Sequence, residues 1–206
     1  VPYPIFSYTA LLPWGLFSKA MNDAGRSLVN NRNMITKIYF PRLTIPVASV
    51  LAGLVDFGIA FLVYIVIILY YVLSPGSNYS FQLTPALFTL PLFIILALIA
   101  TLGVGLWFSA LNVMYRDVGH ILPFLTNIWF FLTPIVYSSS EVSAKWQIIY
   151  ALNPITGVVE GFRWSLLGIH SLPWQLLAIS AAVAVLILIS GVIYFRNMER
   201  TFADEI

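Results

Sequence analysis

The sequence predicts an all-α fold, a polytopic transmembrane helix bundle with five spans, and three observations predict it. Sixty per cent of the 206 residues are hydrophobic and only 9% are charged, with a mean hydropathy of +0.92, too little polar surface to cover a water-soluble globule of this length. Apolar stretches long enough to cross a bilayer recur at 5–25, 44–73, 86–113, 119–138 and 174–195. The basic residues collect in alternate connections, the asymmetry by which membrane proteins are oriented.

The first span is interrupted by Ser7, Thr9, Pro13 and Ser18, and the fourth by Pro123, Asn127, Thr133 and Pro134. Such residues are tolerated where a helix faces protein or a polar path, because lipid offers them no partners. The second and fifth are the most apolar. Val47 to Leu73 holds a single charge, Asp56, and Leu176 to Phe195 holds none. The second and third are long enough to tilt.

Two connections are more than turns. Residues 25–42 read GRSLVNNRNMITKIYFPR, with Leu28, Met34, Ile35, Ile38 and Tyr39 set among polar and basic side chains. That pattern suits a short amphipathic helix at the membrane surface, and equally an ordinary basic loop that snorkels. Residues 139–172 are too apolar for a solvated loop, yet Glu141, Lys145, Glu160 and Arg163 make them too charged for two full crossings. Two short helices dipping into the membrane and broken at Asn153 and Pro154 fit this stretch. The PGSNYS run at 75–80 is a turn between the second and third spans. The chain reads as one membrane domain over residues 1–206.

Lys19, Arg26, Arg32, Lys37 and Arg42 fall between the first two spans, Arg116 between the third and fourth, and Arg196 and Arg200 after the fifth. Lys145 and Arg163 fall on the opposite side. The positive-inside rule therefore places Val1 outside and the C-terminus in the cytoplasm. The start at Val1, with no basic leader, leads us to expect an upstream part.

Composition excludes several chemistries. With no cysteine there is no disulfide, thiolate or Cys-based zinc site, and His120 and His170, far apart in the chain, make no metal centre. The net charge of +2 is scattered and forms no nucleic-acid stripe. No GxxxxGK[ST] phosphate-binding loop occurs, so the chain has no such site for ATP. Asp56 stands out, since insertion scales put an acid at a helix centre at roughly +2.5 to +3.5 kcal/mol and it must face protein or water. It lies about 20 Å along its helix from Leu43, where either a basic partner on another span or a conduit role would account for it. Aromatic residues crowd the first and fourth spans. Membrane-interface belts and packing explain most of them, and stacking on sugar rings is open to a few.

Several runs taken together resemble the permease subunits of type 2 ABC exporters of O-antigen, capsule or teichoic-acid polymers. They are LLPWGLF at 11–17, SLVNNRNMITKIYFPR at 27–42, LNVMYRDVGHILPF at 111–124, FFLTPIVY at 130–137, ALNPITGVVEGFRWSLLG at 151–168 and YFRNMERTFADEI at 194–206. The resemblance implies six spans behind an interfacial N-terminal helix, with that helix and the first span upstream of Val1. It implies an inner-membrane homodimer that binds a separate ABC ATPase, on which ATP and Mg act, and that moves a lipid-linked glycan through a membrane of bacterial or archaeal type. It also implies that 26–42 is a cytoplasmic coupling segment, with Asn31, Arg32, Lys37, Tyr39, Phe40, Pro41 and Arg42 seated on the ATPase. By the same resemblance, 139–172 holds two re-entrant periplasmic helices whose gate includes Asn153, Pro154, Glu160 and Arg163. Tyr8, Trp14, Trp129 and Asp56 are the candidates for the substrate path. The short turn Met114, Tyr115, Arg116 and Asp117 reads as an orienting anchor. Two alternatives remain open: a permease of the same type for a lipid, drug or other small molecule, and a membrane glycosyl- or acyltransferase using Asp117 with His120 or Glu160 with His170.

Overall fold

A computed structural model describes residues 1–33, 41–74, 84–115, 117–137, 144–168 and 172–199. Lys37, Tyr39, Phe40, Arg116, His170, Glu141, Arg200 and the 75–80 turn lie outside the described residues, as does the side chain of Lys145. Among the described residues the secondary structure is helical throughout: α1 (Tyr3–Asn30), α2 (Thr44–Leu73), a 3-10 turn (Pro85–Thr89) leading into α3 (Leu90–Met114), α4 (Val118–Phe131), α5 (Ala144–Ala151), α6 (Thr156–Leu167) and α7 (Trp174–Glu199).

Local chemistry sets these ends. Pro2 and Pro4 open α1, where a missing amide hydrogen costs nothing. Ser74 and Thr84 each precede a proline and adopt extended backbone, which stops α2 and delays the next helix. Gly168 closes α6 in the left-handed conformation, φ 61°.

Three helices, Thr44–Leu73, Pro85–Met114 with its leading 3-10 turn, and Trp174–Glu199, are long and apolar enough to span a membrane. The structure differs from expectation at the other two spans. α1 runs on to Asn30 instead of stopping near 25, so Arg26 is a helical residue, and Lys19, counted among the charges between the first two spans, lies well inside the helix. α4 is only 14 residues long, about 21 Å, and ends well before 138. Its stop is local: Pro134 disfavours helical backbone at Thr133, and the Thr133 hydroxyl donates to the Trp129 carbonyl at 2.9 Å. The pair of short helices expected within 139–172 is present as α5 and α6, with the break at 152–155.

α1 is the central helix, packed along α2 and α3, and α7 covers the far side of α3. α6 wedges between α1, α3 and α7. The main core joins Ile5, Phe17 and Met21 of α1 to Tyr64 of α2, Phe93 of α3, and Val158 and Phe162 of α6. A second cluster at the other end gathers Leu28, Ile45, Leu106, Val113 and Phe195. Val55, Leu62 and Val66 of α2 and Leu186 and Ile193 of α7 are exposed, as a lipid-facing surface requires.

The α3–α7 contact is made by two glycines. A Cβ on Gly103 would come within 2.6 Å of the Leu188 backbone nitrogen, and one on Gly191 within 2.6 Å of the Gly103 carbonyl oxygen. Helices in lipid gain from such close approach because dispersion contacts replace the missing hydrophobic drive. The Trp107 ring stacks on Tyr194 at 4.2 Å and its indole N–H donates to Ser190 at 3.1 Å, which fixes the register. Gly191→Leu must separate the backbones, with an expected loss of about 1–3 kcal/mol. The melting temperature in detergent should fall accordingly, whereas Gly58→Ala, where an added Cβ meets nothing within 4 Å, should leave it unchanged or slightly raised.

Candidate functional site

Lys19 and Asp56 sit about 4 Å from the midpoints of α1 and α2, so both charges lie deep in any membrane these helices cross. Lys19 Nζ donates to Asp56 Oδ2 at 2.6 Å, joining the two helices. The pair is not enclosed: its side chains are 54% and 49% exposed. They open onto a largely apolar groove of about 370 Å³ between α1 and α2, lined also by Tyr8, Leu12, Leu16, Ser18 and Phe57. Gly15 leaves open space on its side of the groove, Gly53 lets α2 approach Ala20 of α1, and Tyr8 forms one wall, stacked on Tyr64 with ring planes 9° apart. A half-exposed charge pair at this depth cannot face hydrocarbon without a large penalty, so water, cargo or another protein segment must cover the groove.

The structure brings Tyr8 and Asp56 together here and sets Trp14 and Trp129 elsewhere. Trp14 is buried on the face of α1 turned to α4, with its ring 5.7 Å from both Phe17 and Phe130. Trp129 meets Phe17 edge-on at 5.2 Å. Its indole N–H donates to Asn153 Oδ1 at 2.9 Å, and Asn153 Nδ2 donates to the Thr133 hydroxyl at 2.9 Å. Asn153 Oδ1 also accepts the Ile155 amide at 3.2 Å, so one side chain organises the α5–α6 bend and fastens it to the end of α4. Pro154 is buried beside it.

Glu160 and Arg163 pair at 3.1 Å with side chains 9% and 4% exposed, a buried pair and not a surface salt bridge. Arg163 also donates to the carbonyls of Ile135 at 2.6 Å and Tyr137 at 3.0 Å, and its guanidinium lies 4.1 Å from the Phe6 ring centroid. One cation thereby holds the non-helical 132–137 segment, α6 and the start of α1 together. Its fixed fork of donors suits several carbonyls at once, which a lysine could not match. The hydroxyls of Tyr137 and Tyr150 lie 2.8 Å apart and join the same segment to α5.

In the 26–42 segment, Asn31 caps α1 through its Nδ2 bond to the Ser27 carbonyl at 2.8 Å, and Arg32 and Pro41 are exposed. Arg42 donates to the Glu199 carbonyl at the end of α7, where a cation also meets the negative end of the helix dipole. Arg26, counted from sequence only as an orienting charge, instead turns to α4, with Nε and Nη2 at 3.1 and 2.7 Å from the Gly119 carbonyl oxygen. Lys19 was likewise missed as a site residue, although a lone base in one span and a lone acid in the next was a readable signal.

Residues 4–167 match the family described as ABC-2 type transporter. The chain is also similar to proteins named O-antigen export system permease protein RfbA. That of Myxococcus xanthus is 28% identical over 208 residues, which cover 99% of this chain and 76% of that protein. Two from Klebsiella pneumoniae are 26% and 27% identical over 202 residues, 98% of this chain and 75% of each. A permease of this family is the non-catalytic membrane component of its transporter and works with a partnering ATPase subunit; it carries no cofactor of its own. The transferase alternative is therefore set aside, and Glu160, one of its proposed acids, is engaged with Arg163. By its match over most of its length and its long apolar helices, this chain belongs to the ABC-2 type transporter family as a multi-pass membrane permease subunit.

Proposed function

We propose that this chain forms the channel of an ATP-driven exporter that moves a lipid-linked polysaccharide, of the O-antigen, capsule or teichoic-acid class, across the inner membrane. The observation that carries the cargo class is the similarity to O-antigen export permeases along 98–99% of the chain. The groove supports a path, because Lys19, Asp56, Ser18 and Tyr8 offer hydrogen bonds and a ring face within a largely apolar lining at mid-depth. A polymer of repeating sugars needs both, since hydroxyls demand partners out of water and C–H faces pack on rings.

In this reading α1, α2, α3 and α7 are four spans and α4 with the non-helical 132–137 segment makes the fifth crossing, and the unit works as a homodimer whose second copy closes the groove. Trp14 and Trp129 extend the lining when α4 moves off α1. Residues 26–42 seat on the ATPase, with Asn31, Arg32, Lys37, Tyr39, Phe40, Pro41 and Arg42 as the gripping surface. The α5–α6 pair gates the outer mouth through Asn153, Pro154, Glu160 and Arg163. A permease for a lipid, drug or other small molecule would share this frame and differ in channel width and aromatic lining.

Three outcomes test these assignments. Arg32→Glu should lower substrate-stimulated ATP hydrolysis and export several-fold while the chain still inserts and copurifies with its ATPase; unchanged rates would sink the coupling assignment. Asp56→Asn together with Tyr8→Ala should reduce export of lipid-linked glycan in inverted vesicles at least several-fold, and full export would remove the groove from the path. Glu160→Gln, which keeps the shape but removes the charge facing Arg163, should alter glycan conduction with basal ATP hydrolysis intact. Normal conduction would leave Glu160 a purely structural acid.

A further inference from the structure

α4 is held differently from the long helices. Only Leu122 and Thr126 along it are buried, while Ile121, Phe124, Ile128 and Phe131 are exposed. Weak apolar packing is offset by polar fastenings at both ends. At the Val118 end, Arg26 makes its two bonds to the Gly119 carbonyl, and past the middle of the helix Asn22 Nδ2 donates to the Thr126 hydroxyl at 2.9 Å. At the Phe131 end, Trp129 and Thr133 are bonded to Asn153, and the segment that follows is held by Arg163.

The acceptor at the first fastening is free for a reason written in the chain. A helical Gly119 carbonyl would ordinarily take the amide hydrogen of residue 123, but that residue is Pro123 and has none. The released carbonyl, at the start of α4, lacks its helical donor, and Arg26 supplies one from α1. Arg26 lies just over one turn before Asn31, so any displacement of the 26–42 segment reaches Gly119 through a rigid helix. The far end of α4 then reaches the α5–α6 bend through Asn153.

We propose that α4 is a connecting rod between the cytoplasmic segment and the outer helix pair, and that Arg26 is the positioning residue that pins it to α1. The inference rests on reading 26–42 as the coupling segment. Arg26 acts through Gly119 and touches neither nucleotide nor glycan.

The test separates a pin from a mere filler of an orphaned carbonyl. The chain has no cysteine, so Phe124→Cys on α4 and Val55→Cys on α2, both at exposed positions, accept spin labels selectively. In the complex with the ATPase subunit, ATP should shift the label–label distance measured by pulsed electron resonance. Arg26→Ala should abolish that shift and lower the melting temperature. Adding Pro123→Ala restores an amide hydrogen for Gly119, so the double variant should regain the melting temperature but not the shift. Arg26→Lys, with a single donor head, should give a partial shift. The pin is overturned if Arg26→Ala keeps the full shift, or if Pro123→Ala restores shift and stability together. Absence of any shift in the labelled parent also overturns the rod, while the coupling assignment stands or falls separately on Arg32→Glu.

Discussion

Backbone carbonyls that no amide of their own helix can satisfy are what bind this bundle together. In water such groups are cheap to leave open, but in hydrocarbon each costs several kcal/mol, roughly, until something donates to it. Here the donors come from other elements. Arg26 reaches Gly119, Arg163 reaches Ile135 and Tyr137, Arg42 reaches Glu199, and Ser180 of α7 donates to the Ala151 carbonyl at the end of α5 at 2.9 Å. Each bond turns a local gap, at a proline, a helix end or the non-helical 132–137 segment, into a tie between distant parts of the chain. The geometry is specific where apolar packing alone would allow helices to slide.

This logic divides the molecule into two mechanical parts. α3 and α7 meet through glycines at backbone contact, with α6 wedged against both, and that group has little room for rearrangement. α4 is connected to its neighbours by directional bonds, with few buried side chains along it. Close-packed cores resist continuous deformation, whereas hydrogen-bonded joints can exchange partners. The family's work, coupling a membrane subunit to a separate ATPase, needs both a fixed frame and a moving member.

Much of the architecture was legible because hydropathy reports directly on solvent. The bounds of α2 at 44–73 were read without error, since lipid imposes the same apolar demand on every residue of an outer helix. The break at Asn153 and Pro154 was readable for a local reason, the proline. Where sequence reading failed, a charge was answered in three dimensions. Arg26 looked like a loop residue and is the tertiary partner of a carbonyl made available by a proline 97 positions on. The end of α4 at Phe131 was missed because Thr133 and Pro134 look tolerable in a span until Asn153 is seen to occupy the space beyond. At the candidate site Asp56 was found and its partner Lys19 was not, since pairing across two helices depends on their rotation, which periodicity alone leaves undefined.

The glycine seam between α3 and α7 also bears on how the protein is made. Gly103 and Gly191 are separated by the rest of α3, all of α4, α5 and α6, and most of α7, so the seam on α3 has nothing to close on until α7 has been synthesised and inserted. Until then the nascent chain presents a groove of bare backbone to the lipid, and the frame against which α4 is set is completed last. Biogenesis of the subunit is thus a commitment made late in synthesis, and a quality-control machinery that recognises unpaired small-residue grooves in the bilayer would have the whole interval between α3 and α7 in which to act.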